Sequence, residues 1–429
     1  MSSRLLRLAA PLFTLAMALG CSGGGSDAPA ASDTILIGEY GSLTGKEATF
    51  GQSTDNGLKL ALDEINAAGG LNGKKLEVRV YDDQGKTQEA GTAVTRLIQD
   101  DKVVAVIGEV ASSLSIAGGR VAQQYGVPMI SPSSTNAAVT KIGDMVSRVC
   151  FIDGFQGYVM AKFAHDDLHA TKIAVLYDQA SAYSKGLQDD FGREFTSMGG
   201  TVFPAQAYTG GDADYSAQLT SIRETAPDAI YVPGYYTDVG NIALQARKLG
   251  LTVPLLGGDG WDSEQLGKIA GDAIEGSYYS NHYSFQDTRP EVTTFVETYK
   301  QRYNAVPDGL AALGYDSMRV LFDAMKRAPS LSGKDLAAAI AATNGFPGVT
   351  GIITMDANRD ASKPAVIVQM KGNQPTFVTT VYPKGQEPAA AAPVDPAAAP
   401  VDGAAPAAAP ADPAAAPATP PPATPAAKP

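Results

Sequence analysis

The chain has 429 residues, with 33 Lys and Arg against 45 Asp and Glu and a formal net charge of −12. That sign argues against a nucleic-acid partner, since phosphate backbones recruit cationic surfaces. The cysteines (Cys21, Cys150) and histidines (His165, His169, His282) form no metal-ligand spacing, and no cofactor is expected.

The first residues read as an export signal. Arg4 and Arg7 give a basic start, and the apolar stretch 8–19 is too short to span a bilayer. Gly20 directly before Cys21 resembles a bacterial lipobox, in which Cys21 would be diacylated and become the first mature residue. The alternative is an ordinary cleaved signal peptide (residues 1–20) with a stray cysteine. Residues 21–32 are small, polar and coreless, as a tether would be. From 385 to 429 alanine and proline dominate, aromatics are absent, and a disordered, partly polyproline-II tail is expected. If Cys21 belongs to the anchor, Cys150 stands alone and no internal disulfide can form.

About 350 residues remain between these ends, more than one core commonly fills, so two domains are expected. Segment 34–43 is a short apolar strand, and 51–70 has helical spacing at Leu58, Leu62 and Ile65 with a stop at Gly69. Segment 74–83 alternates as a strand does, 88–101 returns to helix, and 103–110 is apolar throughout, like a strand buried on both faces. Helix 113–126 and strand 127–134 follow. The rhythm restarts at strand 172–178 and continues through helix 184–200, strand 201–208, helix 214–226, strand 228–235, helix 239–250 and strand 253–260. Two such βα runs predict an α/β fold of two doubly wound, mainly parallel lobes. Helices are then expected over 292–304, 310–328 and 332–344, with a hairpin-like pair in 349–372 whose turn carries Asp356, Asn358 and Asp360.

Open α/β sheets bind ligands outside the carboxyl ends of their strands. Those ends carry Phe50, Ser112, Ser113, Ser131, Ser133, Ser134, Thr135, Tyr183, Tyr235, Tyr236 and Asp259. Ser112 and Thr135 are each expected to open a helix, where free N–H groups and the helix dipole favour an anion; the plain alternative is that both are N-caps. Asp259 sits in "GGDGW" beside Trp261, the one tryptophan, and a carboxylate there suits a cation. Catalytic patterns are missing: no phosphate loop, no G-x-S-x-G, and no histidine expected at a strand end to serve a serine as base. Acid pairs such as Asp82–Asp83 read as solvated strand ends.

The segments 41–83, 106–117, 126–140, 234–250 and 255–263 together resemble the leucine/isoleucine/valine-binding proteins, extracytoplasmic receptors of branched-chain amino-acid ABC importers. The resemblance covers about residues 34–384. It implies a type I periplasmic-binding fold, a Venus flytrap of two lobes joined by three crossovers. Residues 33–153 with 283–350 would form lobe 1, and 154–282 with 351–384 lobe 2. Ser112 and Thr135 would bind the amino-acid carboxylate, the Ser133 carbonyl and Asp259 its ammonium, and Tyr183 and Tyr235 would touch it from the second lobe. Phe50 would lie against the ligand side chain, with Ser134, Tyr236 and Trp261 as further candidates. A monomer docking on a membrane permease is implied, with no enzymatic step. Relatives also take amides, urea or aromatic acids, and a sensor for such a ligand is the alternative.

Overall fold

The computed structural model describes residues 34–383. The signal segment, Cys21, the tether and the Ala/Pro-rich tail lie outside the described residues.

The first sheet holds β1 (Thr34–Gly41), β2 (Lys75–Asp82), β3 (Val106–Ile107), β4 (Met129–Ser131) and β5 (Val146–Arg148) in the order β2-β1-β3-β4-β5, all parallel. Helices α1 (Ala48–Ala67), α2 (Thr87–Gln99) and α3 (Ser112–Tyr125) connect them, as parallel pairing requires. The chain then enters α4 (Asp153–Lys162) and builds the second sheet from β6 (Lys172–Asp178), β7 (Thr201–Val202), β8 (Gln206–Tyr208), β9 (Ala229–Tyr231), β10 (Leu255–Gly257) and β11 (Tyr278–Asn281). Its helices are α5 (Ala182–Ser197), α6 (Ser216–Glu224), α7 (Tyr236–Lys248) and α8 (Glu264–Ala270). Helices α9 (Pro290–Tyr303), α10 (Gly309–Arg327) and α11 (Gly333–Ala341) follow, and α10 packs on α1. The last strands are β12 (Phe346–Gly348), β13 (Gly351–Met355), β14 (Ala361–Ser362), β15 (Ala365–Lys371) and β16 (Gln374–Val381). The doubly wound expectation holds: the chain passes between the sheet-bearing halves after β5, after β11 and through β12–β14.

The α1–α10 contact is backbone on backbone. A Cβ on Gly57 would stand 1.9 Å from the Ala311 carbonyl oxygen, and one on Gly314 would stand 2.3 Å from that of Thr54. Glycine at both positions lets these helices close on a core that includes Leu58, Ala61, Leu313 and Leu321.

Several local expectations change. Strand 201–208 divides into β7 and β8 around Pro204, which has no N–H to give a ladder. The pair expected in 349–372 does not close on itself. β13 turns back only on the two-residue β14, because Asp356 Oδ1 accepts the Asn358 and Asp360 amides at 2.7 and 2.9 Å and tightens the turn. β15 instead joins β11 antiparallel, and β16, not anticipated, pairs with it. Asp83 is not solvated: it is fully buried, and Ser42 Oγ donates to its Oδ1 at 3.0 Å.

Candidate functional site

The order of each sheet reverses between β1 and β3 and between β6 and β9, and the candidate residues gather outside those strand ends. β10 ends at Gly257, and one 3-10 turn, Asp259–Trp261, carries the acid. Asp259 is 5% exposed. Its Oδ1 accepts from Tyr183 Oη and Gln156 Nε2, both at 3.0 Å, and its Oδ2 lies 2.9 Å from His282 Nε2. Its own amide donates to Gln156 Oε1 at 2.9 Å. A carboxylate offers about four lone-pair sites. Three are used, which leaves one on Oδ2. The preceding glycines are fixed by this packing: a Cβ on Gly257 would stand 2.1 Å from the Trp261 indole, and one on Gly258 would stand 2.2 Å from Gln156 Oε1.

Burial pushes the His282 pKa below its usual value, against the opposing pull of Asp259. The ring is therefore neutral at pH 7, with Nε2 carrying the proton toward Asp259 and Nδ1 left as an acceptor. Nδ1 has no partner among the described residues. His282 follows β11 directly, so a histidine does stand at a strand end, contrary to expectation. Burial, then the Asp259 charge, raises the Tyr183 phenol pKa well above its ordinary value, which keeps it a donor.

The first half supplies hydroxyls. Ser112 is the first residue of α3, but Ala111 is the N-cap and no side chain caps that helix. Ser112 Oγ instead accepts the Asn136 amide at 3.2 Å. The helix expected after Thr135 is absent: Asn136 Oδ1 accepts the Ala138 amide at 2.9 Å and makes a turn, followed only by the 3-10 turn Thr140–Ile142. The second helix dipole is therefore missing, while the hydroxyls remain. Ser133 Oγ and Thr135 Oγ1 are buried without hydrogen-bond partners among the described residues. Asp153, whose amide donates to the Thr135 carbonyl at 2.9 Å, also has both carboxyl oxygens buried and unpartnered there. The Thr135 hydroxyl lies close enough to that carboxyl to oppose the effect of burial on its pKa. Burial lifts the Asp153 pKa to about 8.

A small cavity lies between the halves, lined by Phe50, Val110, Ser133, Tyr183, Tyr235, Asp259, Gly260 and Leu310. Tyr183 and Tyr235 stack at 5.3 Å, and Phe50 meets Tyr235 edge-on at 5.5 Å. Tyr236, Ser134 and Trp261 do not line it, and neither do Ser112 and Thr135. Tyr236 Oη donates to the Lys46 carbonyl at 2.9 Å, one of the hydrogen bonds that join the halves. Ser134 Oγ donates to the carbonyls of Glu109 and Val110 at 3.0 and 2.8 Å, a structural role. Trp261 is fully buried, and its Nε1 donates to the Val232 carbonyl at 3.0 Å. Val110, Leu310, Gln156 and His282 escaped the sequence reading. Gln156 and Leu310 lie within helices, where no strand-end rule reaches; His282 was discoverable once β11 was placed.

A family model for periplasmic binding proteins matches residues 34–375. The leucine-, isoleucine-, valine-, threonine- and alanine-binding protein of Pseudomonas aeruginosa is 30% identical over 332 residues, covering 77% of this chain and 88% of the relative. Among solved structures, the leucine binding protein LivK of Thermotoga maritima superposes with a TM-score of 0.79 at 39% identity, over 81% of this chain and 99% of that one. The branched-chain amino-acid transporter substrate-binding protein LivJ of Streptococcus pneumoniae, solved with isoleucine, gives 0.77 at 34% identity, over 82% and 100%. Sequence, sheet order and a polar cleft between two halves agree: the chain belongs to the periplasmic binding protein family.

Proposed function

We propose that this protein is the extracytoplasmic solute-binding component of an ABC importer and that it captures a small aliphatic α-amino acid. One observation carries the reading. Asp259, with one acceptor site left, and the stacked tyrosines line a cavity that the unpartnered Ser133 hydroxyl also lines. A zwitterion supplies both complements: an ammonium for Asp259 and the Ser133 carbonyl, and a carboxylate for Ser112 and Thr135. Phe50, Val110 and Leu310 present no hydrogen-bonding side chain, which suits an aliphatic substituent and disfavours an amide or urea. The relatives named for leucine, isoleucine and valine support the same class.

Because the two poles stand on different halves, the ligand stabilises the closed arrangement over the open one by differential contact. The ligand is released unchanged to a membrane permease. Cys21 serves as the lipid anchor, and the Ala/Pro-rich segment is a passive tail. Mass spectrometry of small molecules extracted from the purified protein, followed by calorimetric titration of the twenty amino acids, tests the assignment. Tight binding of leucine, isoleucine or valine is expected; failure of every α-amino acid to bind would overturn it.

A further inference from the structure

A second cavity, of about 800 Å³, lies on the outer side of the chain passages, walled by 282–289, 350–354, 362–366 and the end of β16. It is larger than the cleft cavity and shares none of its lining residues. Lys363 lies in its wall and is 1% exposed. Its Nζ donates to Thr350 Oγ1 at 2.6 Å, and that hydroxyl donates onward to Asp316 Oδ2 at 2.7 Å. Among the described residues the ammonium makes no ion pair within 4.0 Å. An ammonium has three donors, so a buried cation is left under-satisfied beside an open volume. Arg289, also in the wall, is tied to Asp287 at 2.8 Å, whereas Lys363 reaches its nearest carboxylate, Asp316, only through the Thr350 hydroxyl. The rim is apolar: Ile352 and Phe377, which line the cavity, are 63% and 42% exposed.

We propose that this cavity is a second ligand site, for a small organic carboxylate with an apolar body. The carboxylate meets the Lys363 ammonium, and the body covers Ile352 and Phe377. The volume falls within the roughly 300–1,000 Å³ range of small-molecule pockets. His282 lines this cavity while its Nε2 faces Asp259, so one imidazole separates the two sites. The walls also come from segments that connect the two halves.

Phenylacetate is the probe, titrated into the full chain by calorimetry and by its proton NMR shifts, with and without saturating L-leucine. Binding that persists with leucine is expected, as is binding to Asp259→Ala. Ile352→Glu, at the exposed rim, places a like charge beside the ligand without touching the core and weakens binding by about tenfold or more. Lys363→Met does the same if it folds, and neutral phenylacetamide binds at least about tenfold more weakly than phenylacetate. Phenylacetate binding that leucine displaces, or that Asp259→Ala abolishes and Ile352→Glu leaves intact, would assign it to the cleft and overturn the second site. Absence of any binding at millimolar phenylacetate overturns it as well. Because the two variants are compared directly, the outcome is independent of whether leucine is the cleft ligand.

Discussion

Asp259 Oδ2 and His282 Nε2 stand 2.9 Å apart and tie the ends of two neighbouring strands, β10 and β11, at the point where the chain leaves the second sheet. His282 in turn stacks on Phe151 at 3.9 Å, the segment where the chain arrives from the first sheet. The acid proposed to meet the ligand is therefore held by a group on the chain passages themselves.

Replacing Asp259 tests the ammonium pole. Asp259→Asn keeps the shape and one acceptor but removes the charge. Losing one partner of a buried charged contact costs about 2–4 kcal/mol, so the dissociation constant should rise by ~30- to 1,000-fold. Calorimetric titration with the best-binding amino acid measures it, and an unchanged constant removes Asp259 from the site.

His282 should govern an acid limb of stability. Its folded pKa is depressed, so below about pH 6.5 the unfolded chain binds a proton that the folded chain refuses. The contribution is full above that pH and is lost as pH falls through the folded value. His282→Gln should therefore flatten the stability change between pH 7 and pH 5 relative to the parent, read by urea unfolding at each pH. Parallel curves would show that the ring does not titrate in this window.

Thr135→Val separates binding from folding. The hydroxyl is buried and unpartnered, so its removal should leave the ligand-free protein as stable, or more stable by up to about 1 kcal/mol. Amino-acid affinity should fall by ~10-fold or more as the carboxylate loses a donor. Destabilisation without loss of affinity would mean that the hydroxyl serves the fold.

Trp261→Phe should behave in the opposite way. The indole is fully buried, donates to the Val232 carbonyl, and fills the space that Gly257 leaves. Its truncation should lower stability by about 1–3 kcal/mol while changing affinity by less than ~10-fold. Thermal unfolding and titration of the same sample decide it; a large affinity loss at unchanged stability would return Trp261 to the pocket.

The βα rhythm is readable because buried parallel strands and amphipathic helices have distinct periods, and that rhythm alone places Asp259, Tyr183 and Tyr235 at strand ends. The glycines around Asp259 are required by Trp261, Gln156 and Tyr183, partners far apart in sequence except for Trp261. The turn after Thr135 was misread because Ser, Thr and Asn open helices and tight turns alike, and only the Asn136–Ala138 hydrogen bond decides between them. Leu310 shows a different limit. It reaches the cavity from α10, whose position follows from the Gly57–Ala311 contact across more than half the described chain. No local pattern encodes that.

Asp153 gives the last and least local prediction. Its carboxyl is buried beside Thr135 with neither oxygen partnered, and its pKa rises to about 8. A carboxyl normally titrates near 3.9, so between about pH 4 and pH 8 the folded chain holds a proton that the unfolded chain has released. The sign follows: this group's contribution is most favourable at low pH and declines as pH rises toward 8. Asp153→Asn mimics the protonated form at every pH. It should therefore match the parent near pH 4 and exceed it by up to ~5 kcal/mol near pH 9, with a correspondingly higher midpoint temperature. Amino-acid affinity should respond in the same direction, because an ionised Asp153 would face the ligand carboxylate at Thr135. The parent should bind more weakly above pH 8, and the variant should not. Thermal unfolding and titration at pH 5 and pH 9 test both limbs. A constant difference between the two proteins across that range would mean that Asp153 does not carry the proton.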